Sequence, residues 1–197
     1  ILFNKLLNYT DRVLFFPMDD FITSEAIAIS PEFKSERIHT LNQLSNNNDY
    51  IVVTNLMGFL RYLPPVEIWK KNVISLKKGV TIERDRLIHQ LYNIGYERET
   101  VVSETGKLGV RGYVLDVFPI DFDYPIRIEF WGDEIDNIKY FDVDTQLTLK
   151  LIDEVQIYPY TEFLLDEEIE VEQKFQKYLK HYSKKIGSLC DYVDNYM

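Results

Sequence analysis

The chemistry-bearing residues of this chain are few and scattered. His39, His89 and His181 stand alone on presumed helices, where an imidazole packs or faces water rather than serving as a ligand. Asp19-Asp20 in FPMDDF and Asp142/Asp144 in FDVD pair carboxylates as metal sites do, but loops use such pairs far more often for turns and helix caps. The glycine-flanked lysine of GKLGVRG, Gly106 to Gly112, has the composition of a phosphate cradle without its order. A P-loop reads G-x-x-x-x-G-K-[ST] between a strand and a helix, whereas Leu108 and an extended run follow Lys107. The expectation is a segment with no catalytic residue, no cofactor site and no metal site of its own.

Recognition chemistry is better represented. In YPIRIEFWGDEI, Ile126, Ile128 and Phe130 fall on one side of an extended chain, and Arg127 and Glu129 on the other. By the same alternation Trp131 lies on the charged side, about 13 Å from Arg127 at the usual rise. A planar guanidinium forms paired hydrogen bonds to carboxylate, and an indole buries much area at small entropic cost, so this pairing suits a protein interface. Pattern alone leaves a second placement open. Trp131 packs at the edge of the core against the helix of residues 82–94, and Arg127 is simply in water.

The elements that position these residues change character along the chain. RVLFFP is a short buried strand. SPEFKSERIHTLNQL is a helix with Ser30 as N-cap, Pro31 at the first helical position, and Phe33, Ile38, Leu41 and Leu44 toward the core. YIVVTN is a second strand, followed by a short helix with Met57, Phe59 and Leu60 that Pro64-Pro65 stops. Strand, helix, strand with short links predicts part of a Rossmann-like parallel sheet over 1–72. From residue 73, VISLKKG is a strand and TIERDRLIHQLYNIG a helix capped by Thr81 and ended by Gly95. Extended segments follow at 98–104, 108–118, 125–131, 134–142 and 151–158, with Gly132-Asp133 as a hairpin turn. Residues 73–159 thus read as a small, mostly antiparallel α+β domain. The tail, 160–197, is acidic and then helical, with Val171, Phe175, Leu179, Tyr182 and Ile186 recurring at helical steps up to Gly187. The fold class is α/β and α+β with a C-terminal helical tail.

Totals narrow the function. Among 197 residues, 46% are hydrophobic and 27% charged, the proportions of a globular protein. No apolar run reaches the ~20 residues that span a bilayer, so no membrane partner is expected. Cys190 is the single cysteine, which excludes an internal disulfide and suits a reducing cytoplasm. The formal net charge is −10, and residues 76–160 carry 10 Lys and Arg against 16 Asp and Glu. Phosphate contacts need clustered cations, so a broad DNA-gripping face there is not expected and a protein partner is. With no initiating Met and a start inside the Leu2, Leu6, Leu7 stripe, the chain reads as a piece of something longer.

The run GKLGVRGYVLDVFPIDFDYPIRIEFWGDEIDNIKYFDVDTQ resembles a family signature: G-x-[FL]-x-x-RG-[GA]-[IVL]-[LI]-D-[ILV]-[FY]-P, then P-x-R-[IL]-[ED]-[FL]-[FW]-[GD]-x-EI, then FD-x-x-TQ. It marks the UvrB-like module shared by UvrB, the damage-verifying helicase of nucleotide excision repair, and the bacterial transcription-repair coupling factors, the Mfd family. FPMDDF, the SPEF helix, YIVVTN and Thr145-Gln146, where UvrB usually has Thr-Gly, are similar to the Mfd form. The resemblance runs from about Val13 to Pro159.

It implies a UvrA-binding domain at 73–159, flanked by the end of a Rossmann-like domain and the start of another UvrB-like domain. It implies recruitment of UvrA in transcription-coupled repair, in a protein whose ATP- and Mg-dependent motor and whose RNA polymerase and double-stranded DNA contacts lie elsewhere. By motif position it assigns UvrA contact to Arg111 of RG, Arg127 of P-x-R and Trp131 at the second aromatic position. Apart from the resemblance, the acidic neighbourhood, Glu129 for example, is expected to restrain Arg127 locally. Trp131 stands where Phe is common, and Tyr113 where relatives have Gly or Ala. A fragment of UvrB itself is the alternative, and a free-standing α/β nucleotide hydrolase a third reading, disfavoured by the missing phosphate motif.

Overall fold

The computed structural model describes residues 2–18, 31–47 and 49–164, with Gln176 and Leu179 beyond them. Two compact units divide the chain, Ile1–Leu164 and Leu165–Met197, and every element below belongs to the first. Ser30, Asp19-Asp20, His181, Cys190 and nearly all of the tail stripe lie outside the described residues.

The first part begins with α1 (Leu2–Leu6), β1 (Val13–Phe16), α2 (Pro31–Asn46), β2 (Ile51–Thr54) and α3 (Leu56–Phe59). β1 and β2 pair in parallel, Val13 opposite Ile51 through Phe16 opposite Thr54, with α2 as the crossover that parallel pairing requires. The Leu2, Leu6, Leu7 stripe is not buried; Phe3 instead stacks on Phe15, ring centroids 5.2 Å apart. α2 departs from its expected apolar stripe. Ile38 is fully buried, but Arg37, Thr40, Asn42 and Ser45 are buried with it, while Phe33, Leu41 and Leu44 are only half-buried. The reason lies in what α2 faces: Thr40 Oγ1 donates to the Phe15 carbonyl at 2.6 Å, and Asn42 Oδ1 accepts from Trp69 Nε1 at 3.1 Å. Pro65 then starts α4 (Val66–Lys71), a helix the sequence reading did not contain. A helix start leaves its first N–H groups unbonded anyway, so proline costs nothing there.

β3 (Ile74–Lys77) leads to α5 (Arg84–Asn93). Thr81 is not the cap of α5. It forms an antiparallel bridge to Glu134, and Ile82 N–H donates to the Asp133 carbonyl at 2.7 Å, so the chain stays extended as far as Glu83. The other end is as expected. Gly95 takes φ +97, its N–H reaches the Tyr92 carbonyl and the Tyr96 N–H reaches the Leu91 carbonyl, both at 3.0 Å. Those two bonds make a Schellman motif, which a side chain bearing Cβ resists.

Six strands follow in spatial order: β4 (Glu97–Arg98), β5 (Lys107–Arg111), β6 (Val114–Val117), β7 (Ile126–Trp131), β8 (Glu134–Phe141) and β9 (Thr148–Ile152). All neighbours are antiparallel except β4 and β5. The last strand, β10 (Glu154–Ile157), leaves this sheet to pair antiparallel with β3.

Three extended segments are thereby corrected. Residues 108–118 are two strands, turned at Gly112-Tyr113; 98–104 contributes strand only at its start; and 151–158 is the end of β9 plus all of β10, parted at Asp153. Gly132-Asp133 does turn the β7–β8 hairpin, with Gly132 at φ +61. The sheet has one buried face. Leu108, Leu115, Val117, Ile126, Ile128, Phe130, Ile135 and Ile138 share one core with Leu87 and Leu91 of α5. The opposite face is partly open, as antiparallel sheets allow, with Val102 packed over it at Gly109.

Candidate protein-docking face

The open face is built by register. Gly109, Asp116, Arg127, Lys139 and Leu151 lie opposite one another across β5 to β9, and Arg111, Val114, Glu129 and Asn137 form the adjacent row. At the hairpin end of β7, Trp131 is 83% exposed. This overturns the reading of Trp131 as a core edge against α5: alternation along β7 survives to its last residue, so the indole leaves on the charged side. The irregularity in the pairing after Glu129 is taken up on β8, where Asp136 has no opposite number.

Arg127 is not in water either, and its direct partner is Asp116, with Glu129 acting on it only through its charge. Its Nε donates to Asp116 Oδ1 at 2.7 Å, and its Nη2 to Asp116 Oδ2 and Gln146 Oε1, both at 2.9 Å. The guanidinium carbon lies 4.3 Å from the centroid of the Phe141 ring, a cation–π distance. The hydrogen bond that Arg127 donates to Asp116, opposed by burial, raises the Arg127 pKa above its already high ordinary value. Glu129 pairs with Lys139 at 2.5 Å instead. Arg111 donates from Nη2 to the same Asp116 Oδ2 at 2.6 Å, yet its side chain is 52% exposed against 15% for Arg127. Arg111, Arg127 and Trp131 are thus on one face, with Arg111 and Trp131 open and Arg127 largely enclosed.

Asp116 was missed by sequence reasoning, though a signal existed: it is the lone charge in the strand VLDVFP, on the side opposite Leu115 and Val117. Gln146 was missed as a partner. It takes φ +60 in a turn closed by Asp142, whose Oδ1 accepts from Thr145 N–H at 2.8 Å and Thr145 Oγ1 at 2.7 Å. Those bonds hold the Asp142 carboxyl below its usual range and give the Asp142/Asp144 pair its plain role as a turn. Arg84 at the start of α5 was also missed; it donates to the Gly112 carbonyl and ties down the turn beside Arg111.

The other candidates settle into structure. His39 bonds Asp121, and Lys107 lies 3.0 Å from Glu97 and 3.3 Å from Glu99. Among the described residues no group of three or more His, Cys, Asp or Glu side chains is placed to hold a metal ion, and no helix is long and apolar enough to cross a membrane.

Residues 74–163 match the family described as the UvrB interaction domain. The chain is also similar to the transcription-repair-coupling factor of Bacillus subtilis (strain 168), 35% identical over 153 residues, which are 78% of this chain and 13% of the relative. The protein of that description from Staphylococcus aureus (strain MRSA252) is 37% identical over 166 residues, 83% of this chain and 14% of the relative. That from Staphylococcus haemolyticus (strain JCSC1435) is 36% identical over the same length. The matches therefore cover about four fifths of this chain but only a small part of these much longer relatives. Residues 74–163 are a UvrB interaction domain, in a chain that is similar over about four fifths of its length to transcription-repair-coupling factors.

Proposed function

We propose that the open face of the six-stranded sheet docks UvrA, and that the chain recruits UvrA to stalled RNA polymerase in transcription-coupled nucleotide excision repair. Arg111, Arg127 and Trp131 form the contact region. The observation that carries this reading is the 83% exposure of Trp131 on a sheet face whose reverse is a closed core, within the matched domain. A large indole left in water at the rim of a charged face is costly for a lone domain and useful for a paired one. Polymerase and double-stranded DNA contacts, and the ATP-driven motor, we assign to parts of the longer relatives that this chain does not match. The cytoplasm is the compartment where these partners meet.

Titration calorimetry with purified UvrA tests the reading. Trp131→Ala and Arg111→Ala are each expected to cost about 2 kcal/mol of affinity, as buried aromatic and arginine anchors do, with the unfolding transition unmoved. Wild-type affinity in both variants would falsify the assignment. Arg127→Ala is a poorer probe, because it also strips the buried Asp116 of its two-pronged partner.

A further inference from the structure

Asp116 is a buried carboxylate, its side chain 3% exposed, shared by two arginines of very different exposure. Arg127 spends its donors inside the protein: two on Asp116, one on the Gln146 side chain, and a long one of 3.5 Å on the Gln146 carbonyl. Arg111 spends one, on Asp116 Oδ2, and among the described residues its other N–H groups have no partner. Resting on the UvrA-docking reading, we infer that Asp116 is the positioning residue of this face: it fixes Arg127 as a base and aims Arg111 at a carboxylate of UvrA.

The geometry gives each group a distinct task. Arg127 meets Asp116 through Nε and Nη2, the side-on fork that holds a guanidinium flat, and Phe141 closes one face of that plane. Gln146 completes the cradle from a left-handed turn position, so the loop after β8 is part of the device. With Asp116 so held, its Oδ2 is a fixed anchor for one amino group of Arg111. A long side chain anchored at one nitrogen loses most of its rotamer freedom before any partner arrives. What remains on Arg111 is a planar set of donors on the solvent side, which matches the two oxygens of a carboxylate. Binding to a group already ordered avoids the ordering cost that a free arginine carries into an interface.

The test is a double-mutant cycle on the 197-residue chain, titrated with UvrA. Asp116→Asn keeps the shape and removes the charge; it is expected to bind about tenfold more weakly in the wild-type background, and to change affinity less than about twofold when Arg111 is already alanine. Equal losses in both backgrounds, or none in either, overturn the inference, because a role in folding alone does not depend on Arg111. If wild-type chain shows no UvrA binding, or Trp131→Ala and Arg111→Ala both bind like wild type, the docking reading fails. If Trp131→Ala weakens binding and Asp116→Asn does not, only the positioning role fails. Should Asp116→Asn not fold, the apolar pair Asp116→Val with Arg127→Met removes both buried charges at similar volume. In that background Arg111→Ala is expected to change affinity less than about twofold, and a loss as large as in wild type overturns the inference.

Discussion

Arg111 and Trp131 differ in what a substitution takes from them. Trp131 offers area and a flat shape at the rim, and its indole makes no hydrogen bond to another described residue. Trp131→Phe therefore keeps most of the contact and is expected to hold UvrA affinity within about threefold in a titration, where Trp131→Ala does not. Arg111 offers a fork. Arg111→Lys keeps the charge and loses the planar pair of donors, so its affinity is expected to fall about tenfold, nearer to alanine than to wild type. A lysine variant that binds like wild type would mean that Arg111 contributes only field strength, and that the acidic surroundings, not geometry, select the partner. Lys139 cannot replace it, since its ammonium is spent on Glu129 in the adjacent row.

Elements hold these residues through a few tight joints, and Gly95 is the one most open to test. At φ +97 it lets α5 end in two crossed hydrogen bonds, and a Cβ there would lie 2.7 Å from Thr161 Cβ and 3.0 Å from the Tyr160 carbonyl oxygen. Strain at a left-handed position and crowding against backbone together predict that Gly95→Ala costs about 2 to 4 kcal/mol, read as a lower urea midpoint at unchanged slope. At temperatures where it is folded, UvrA affinity should be that of wild type, since α5 packs on the far face of the sheet. Gly95 was legible because a helix end leaves a local mark, a glycine after a periodic run. The β7–β8 hairpin was legible for the same reason, through strict alternation closed by Gly132. Thr81 misled because a cap and a bridge residue are the same residue type, and only the distant Glu134 decides between them. The split of 108–118 at Gly112-Tyr113 was hidden by a bulky tyrosine in the turn. Alternation put Trp131 on the charged side and left its exposure open, whereas the Asp116 clamp depends on β6 lying beside β7, a pairing that spacing does not specify.

At the scale of the molecule, α2 is where residues 31–46 meet the later part of the same compact unit, and it meets it through polar groups. Arg37 and Arg61 both bond the buried Glu162, Asn46 Nδ2 donates to Tyr158 Oη at 3.2 Å, and His39 and Asn42 reach the two oxygens of Asp121. These polar contacts stand beside the apolar one that Ile38 makes in the shared core, and one of them involves an imidazole. The hydrogen bond to Asp121 raises the His39 pKa above the ordinary imidazole value of 6.5, against the opposing effect of burial and with smaller help from the charges of Asp121 and Glu36. The sign follows. A raised folded-state pKa means the pair stabilises fully below pH 6.5, and its contribution fades as pH climbs through the raised value. His39 is 41% exposed, so water screens the pair and its worth is about 0.5 kcal/mol. Urea unfolding of wild type and His39→Gln should therefore differ most below pH 6.5 and draw together as pH rises, with the wild type more stable at the acid end. A difference independent of pH would show that His39 holds α2 by packing alone, and that the uncharged imidazole serves Asp121 as well as the charged one.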